Sequence, residues 1–190
     1  MAWSKIKQNL ESFLSPTLVG KVEYCATGYR YLPDKSGRCY ITVDKMEVLN
    51  MSEGNAMLPW YKTEQEIKNN TDIQLPVNKE DLAMVRKDVG DLVPDERLEV
   101  ITRERKKSVY AKDLMAAQTA LCKSDFYSAA TLFLSDSIEN NLESKDMLLN
   151  IFALIDRRMG KKKILSIEEK MKLKHPIVQY FYDLRRTQYN

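Results

Sequence analysis

The sequence holds one histidine, His175, in 190 residues, and that scarcity removes every mechanism needing two imidazoles, a helical H-E-x-x-H zinc site included. Cysteine is nearly as sparse. Cys25, Cys39 and Cys122 are an odd number in a chain that is not small; they match no zinc spacing and fit reduced thiols rather than a disulfide framework. No run of about 18 apolar residues occurs, and the start Met1, Ala2, Trp3, Ser4, Lys5 lacks the parts of a signal peptide. A cytoplasmic protein without membrane association is the expectation. Six Gly and six Pro, beside 44% hydrophobic and 30% charged residues, exclude fibrous and disordered classes and describe a chain that buries a core.

The common chemical signatures are missing too. Gly160 followed by Lys161, Lys162 and Lys163 lacks the first glycine and the hydroxyl residue of a phosphate-cradling loop. Ser4 and Lys7 have S-x-x-K spacing, but at the start of an amphipathic helix, where serine caps and lysine is solvated. Carboxylates fall as helix-face charges (Glu64, Glu66; Asp95, Glu96, Glu99; Glu168, Glu169), for which solvation or i,i+4 pairing is the ordinary account. No acid and base pair, catalytic residue, metal or cofactor is nominated, and Asp34 and Asp44 have no ligand set at metal spacing.

What is present is periodicity. Trp3, Ile6, Leu10, Phe13 and Leu14 make one helical stripe. Pro16 and Gly20 stop it, and from Lys21 the period becomes two, predicting a strand through Tyr31 with Gly28 as a bulge. Pro33, Asp34, Lys35, Ser36 and Gly37 supply a turn, Arg38 to Val43 the returning strand, and Met46 to Met51 a third. That register sets Cys39 opposite about Tyr31 and far from Cys25, beyond disulfide reach. Residues 52–78 read as a surface connection holding a short helix capped by Thr63 and Glu66.

Beyond Asn78, a good N-cap, the stripes are Leu82, Val85 and Val89, stopped by Gly90 and Pro94, then Leu98 and Ile101, fraying into Arg103–Lys107. Four more follow: Tyr110, Leu114, Ala117 and Leu121; Phe126, Ala130, Leu134 and Ile138; Leu148, Ile151, Phe152, Ile155 and Met159; and Ile177, Phe181 and Leu184. Ser124 and Ser144 are placed as N-caps, Ser166 with Glu169 as a capping box, Gly160 as a left-handed helix end, and Pro176 in a first helical turn. No period recurs three times, so a solenoid is not expected.

Charge is uneven. Residues 1–100 carry a net −3 and residues 101–190 a net +6, and the excess concentrates in residues 156–174, where Arg157, Arg158, Lys161, Lys162, Lys163, Lys170, Lys172 and Lys174 face Asp156, Glu168 and Glu169. The commoner explanation of such a run is a solvated helix end whose cations complement the dipole; the functional one is a ridge of Arg157, Arg158, Lys161 and Arg185, with His175 at the junction, that binds an acidic partner. A second constellation, Tyr24, Tyr29, Tyr31 and Tyr40 with Arg30 and Arg38, suits a base-stacking sheet, although β-propensity alone favours tyrosine there and the RNA-recognition signature is missing.

Trp3, Ser4, Lys5, the hairpin with Tyr29, Arg30, Gly37, Arg38, Ile41, Thr42, Val43 and Asp44, the tract Ala153, Leu154, Asp156, Arg157, Arg158, Gly160, Lys161, and the tract His175, Pro176, Val178, Gln179, Phe181, Tyr182, Leu184, Arg185 together resemble a family of small uncharacterised bacterial proteins without assigned activity. The likeness spans residues 1–50 and 124–186. It implies a bacterial cytoplasmic origin, and it implies that the tracts 156–161 and 175–185 form one site or one packing unit. In one departure, the family's Asp-Gly turn is here Asp44-Lys45, which disfavours a tight two-residue turn.

The expected fold is α+β: an N-terminal helix with a three-stranded antiparallel meander over 1–51, an irregular connection with short helices over 52–110, and an array of short antiparallel helices over 111–190, in one compact body. The expected function is non-enzymatic: a protein-interaction role in a bacterial stress, defence or immunity setting, with another, acidic protein as partner. The alternative is a nucleic-acid-binding protein using the same basic ridge.

Overall fold

A computed structural model describes residues 2–28, 37–118 and 120–189 and has the expected α+β architecture. The chain divides into two compact units, Met1–Asn55 with Leu121–Asn190, and Ala56–Ala120. In the first, helix α1 (Trp3–Phe13) buries Ile6 and Leu10, and strands β1 (Val22–Gly28), β2 (Gly37–Val43) and β3 (Met46–Ser52) form an antiparallel sheet in the order β1-β2-β3. Period-two patterning puts Tyr24 opposite Ile41, Ile41 opposite Leu49, and Cys39 opposite Met51, all buried, so one sheet face feeds the core. Val48 is an extra residue where the register shifts at Ile41/Thr42, a β-bulge.

Helices α2 (Glu53–Asn69), α3 (Lys79–Val89) and α4 (Asp95–Ala117) lead into the second unit and build it. Where a surface connection is expected, α2 runs 17 residues with Pro59 inside it; in the second turn that proline forgoes the bond to the carbonyl of residue 55 and crowds it, a cost the rest of the helix outweighs. The capping box on α3 is as predicted in position, Asn78 accepting from the Asp81 amide at 2.8 Å and donating to Asp81 at 2.9 Å. The fraying predicted at Arg103–Lys107 does not occur. Arg103 pairs with Glu99, Arg105 with Asp88 and Lys106 with Asp81, so α4 continues unbroken for 23 residues. It buries Leu98, Thr102, Ala111 and Met115 rather than the predicted Tyr110 and Leu114, both 37% exposed.

The first unit resumes at Leu121, which bridges to Met51, and continues with α5 (Lys123–Ser135), α6 (Ile138–Glu143), α7 (Met147–Ile155), α8 (Lys161–Ser166), α9 (Glu168–Met171) and α10 (Pro176–Arg186). All nine residues of α7 are buried, as befits a helix packed on every side. Phe152 on α7 meets Phe126 and Phe133 at 5.5 Å and Tyr24 at 5.9 Å, edge-on or tilted contacts that add to the area they bury. This aromatic knot joins sheet, α5 and α7.

Several predicted helix ends lie elsewhere. The helix expected to reach Met159 stops at Ile155, and Gly160, expected in the left-handed conformation, has φ −73° and is the N-cap of α8. Cys122 and Asp146, not Ser124 and Ser144, stand at the N-caps of α5 and α7, and Ser166 ends α8, its hydroxyl donating to the Lys163 carbonyl. Pro176 does open α10.

The hairpin register differs from expectation as well. Cys39 pairs with Ala26 and Cys25 with Tyr40, so Cys25 and Cys39 are close in sequence register but project from opposite faces; all three cysteines are free thiols. The predicted turn at residues 33–36 and the end of the first strand, Tyr29 to Tyr31, lie outside the described residues.

Asp44 and Lys45 do form the tight turn that their lack of glycine disfavours. Both have positive φ, 49° and 66°, as a two-residue hairpin of the mirror-image type requires, and Asp44 tolerates that region far better than Lys45. We expect Lys45→Gly to stabilise the protein by about 0.5–1 kcal/mol, read as a rise in Tm; a fall would mean that the lysine side chain holds the turn.

Burial pushes the Cys39 thiol up to about 12, nearby Lys123 opposing and Glu53 reinforcing that shift. Thiolate is the reactive form, so native alkylation at pH 9 should spare Cys39, and denaturation should expose three reactive thiols; rapid native labelling of Cys39 would refute the burial.

Candidate binding surface

The C-terminus of α7 is the origin of the site. Asp156 follows the helix, its side chain 1% exposed, and an isolated carboxylate there would cost several kcal/mol. Arg158 supplies the partner. Its backbone amide donates to Asp156 Oδ1 at 2.6 Å, Nε lies 3.1 and 3.0 Å from the two carboxylate oxygens, and Nη2 reaches Oδ2 at 2.7 Å. The guanidinium also lies 4.4 Å from the Phe13 ring centroid and 5.7 Å from that of Phe133. A planar fork that pairs bidentately and stacks on aromatics is what distinguishes arginine from lysine.

Arg185 is the buried cation of this region. The buried stripe of α10 is Val178, Phe181, Tyr182 and Arg185, turned by one residue from the predicted Ile177, Phe181 and Leu184, and that turn carries Arg185 inward to 3% exposure. Nη1 donates to Thr17 Oγ1 at 3.0 Å, Nη2 donates to the Met159 carbonyl at 3.1 Å, and the guanidinium sits 4.9 Å from the Tyr189 ring. Burial lowers its pKa, and Tyr189 and Asp156 oppose that. Arg185 therefore joins the tracts 156–161 and 175–185 from inside and is not part of an exposed ridge.

The other predicted site residues separate. Arg157 is exposed, anchored through its amide to the Phe13 carbonyl at 2.7 Å, with its guanidinium 5.9 Å from the Phe13 ring. Lys161 Nζ donates to the Tyr189 carbonyl at 3.1 Å. His175 is the N-cap of α10, its Nδ1 accepting from the Ile177 amide at 3.2 Å. It stands at the opposite end of that helix from Arg185, about 15 Å away for ten residues of rise. Arg157, Arg158, Lys161 and Arg185 thus gather around the end of α7, and His175 does not.

The later cations of the tract are compensated locally. Lys170 pairs with Glu143, Lys172 with Glu169 and Arg186 with Glu168 at 2.5–2.8 Å, and Lys174 donates to the Ser144 carbonyl. Lys162 and Lys163 are exposed and enter no ion pair among the described residues. Because Gly160 is an N-cap, Lys161 and Lys162 open the six-residue helix α8, while Lys163 falls in its last turn and Lys170 in that of α9. Helix capping, the ordinary account of this run, therefore covers Lys163 and Lys170 but not Lys161 and Lys162.

The described members of the tyrosine constellation do not share a face. Tyr24 is in the core and Tyr40 on the other sheet face, Tyr29, Arg30 and Tyr31 lie outside the described residues, and Arg38 pairs with Glu47 at 2.9 Å while lying 4.5 Å from the Tyr40 ring. Cys122 lies 3.0 Å from Ser124 Oγ and 2.9 Å from Asp125 Oδ2, but burial and then that carboxylate raise the thiol pKa, the reverse of an activated nucleophile. Among the described residues no three His, Cys, Asp or Glu side chains could hold a metal ion, and no helix is long and apolar enough to cross a membrane.

The structural alternative to a binding ridge, in which the tract's arginines pair with neighbours such as Asp156, is what Arg158 adopts. The SF0329 protein family matches residues 2–186, and the chain belongs to that family. No curated protein and no solved structure matches it.

The geometry separates neighbours by role. Arg158→Met should cost about 2–4 kcal/mol, since it leaves the Asp156 carboxylate buried without its partner, whereas Arg157→Ala should stay within about 0.5 kcal/mol. Urea titrations of the two variants decide it, and equal costs would mean that Asp156 is held by other means.

Proposed function

We propose that this member of the SF0329 protein family is a binding protein rather than a catalyst, and that it engages an acidic protein through a rim formed by Arg157, Lys161, Lys162 and Lys163. One observation carries the reading: three consecutive exposed lysines open α8, two of them, Lys162 and Lys163, in no ion pair among the described residues, while most neighbouring cations of the tract are matched by carboxylates. A sequence that neutralises the surrounding charges and retains these has a use for them outside its own fold. Arg158 and Arg185 hold the end of α7 and Met159 beside the rim, and His175 caps α10 away from it. A bacterial cytoplasmic setting, in stress, defence or immunity, belongs to the same proposal and rests on the sequence resemblance.

A protein partner is favoured over nucleic acid because, of the strand tyrosines that are described, Tyr24 is turned inward and Tyr40 is held beside an ion-paired arginine. Four cations on a short rim also suit a local acidic patch better than an extended phosphate backbone. Lys162→Glu with Lys163→Glu should abolish capture of the partner from the native cell, leave Tm nearly unchanged, and do so whether or not the extract is treated with nuclease. Nuclease-sensitive capture with a steep salt dependence would establish nucleic acid as the ligand instead. Undiminished capture by the variant would place binding on another face.

A further inference from the structure

The unit Ala56–Ala120 carries apolar side chains that its own packing leaves outside. Arg97, Val100, Ile101, Glu104, Arg105 and Val109 line a shallow groove of about 560 Å³ along α4. Val100 is 52% exposed and Val109 58%, and Leu92, just before the helix, is fully exposed. The buried apolar set of this unit includes Ala56, Ile67, Val85, Leu98, Ala111 and Met115, a thin core for a segment of this size.

The order of residues along the strip is self-complementary about the midpoint between Val100 and Ile101. Two identical helices packed antiparallel about a two-fold axis through that midpoint bring together residues equally far from it, each contact made twice. Arg97 then faces Glu104 of the other copy, and Val100 faces Ile101. The charged pair has opposite sign and the apolar pair matches. Within one chain, Arg97 enters no ion pair among the described residues, and Glu104 has a 3.7 Å contact with Lys107, which costs little to exchange.

We infer that α4 is a self-association surface on which a second copy of this chain docks antiparallel, with Val100 and Ile101 at its centre and reciprocal Arg97–Glu104 ion pairs on either side. Charge complementarity selects this occupant, because an unrelated partner would have no reason to mirror the strip's own sequence. The inference is independent of the basic rim and uses none of its residues.

Sedimentation equilibrium of the intact chain over a micromolar concentration series tests it. The wild type should approach twice the 22.1 kDa chain mass. Arg97→Glu and Glu104→Arg should each weaken the dimer by about tenfold or more, since each sets like charges opposite each other twice, and combining them should restore association. Circular dichroism confirms that the variants keep their helices, and Val100→Asp supplies a further disruption at the centre. Wild type that remains monomeric throughout overturns the inference. So does a dimer indifferent to both single reversals, or one that the double variant fails to recover.

Discussion

A helix enclosed on every side cannot borrow water for the amides and carbonyls left over at its ends, and α7, buried at all nine positions, imposes that requirement on the elements around it. At its start, Asp146 accepts from the Leu148 amide, and Asn150 donates to the carbonyls of Asn141, Leu142 and Ser144 at 2.9–3.1 Å, which fixes the end of α6 and the turn between the two helices. At its finish, the Ile155 carbonyl accepts from the Ser15 amide at 2.9 Å, and Asp156 takes Arg158. The segment after α1, α6 and the Asp156 tract are therefore held where they are by the needs of one apolar helix. The Phe152 knot adds affinity to an arrangement that hydrogen bonding has already specified.

Legibility of the sequence followed the strength of local signals. Alternation in β1 and the apolar stripe of α1 were plain because burial on one face leaves a period. The Asn78 cap and Pro176 were plain because their chemistry is local. Failures came where a nonlocal partner overrode a local preference. Gly160 reads as a helix end only while the bond between Asp156 and Arg158, which closes α7 early, is out of view. Residues 103–107 read as a fray because the α3 carboxylates that hold Arg105 and Lys106 are some 20 positions away in sequence. Arg185 reads as surface because a buried arginine breaks the apolar stripe that would otherwise reveal its phase; only the contacts to Thr17, Met159 and Tyr189 explain it.

The two tracts of the sequence resemblance acquire a physical reason in the same region. Asp156 and Arg158 close α7, and Arg185 reaches back from α10 to the Met159 carbonyl. Removing either arginine would strand a polar group in the interior, so these positions are coupled through structure before any question of function arises. Arg157 and Lys161 sit within the same tract under a different constraint. Their side chains reach toward solvent, and the fold requires of them little beyond a backbone amide and one contact with the chain end.

That contrast gives a way to read charge in both units. In the tract 156–174 of the first, a cation whose hydrogen bonds are spent on buried groups or neighbouring carboxylates is accounted for by folding, and what remains is Arg157 with the lysines at the start of α8. In the second, ion pairs such as Lys106–Asp81 and Lys68–Glu64 lie beside a small core, and Ser108 and then Lys68 hold the Glu64 carboxyl below its usual range against the opposing effect of burial. Exposed pairs contribute little each, so such a unit gains more from covering Val100, Val109 and Leu92 than from another salt bridge. Surplus charge in one unit and surplus apolar surface in the other are departures from what folding alone would select, and each marks a surface suited to a different class of contact.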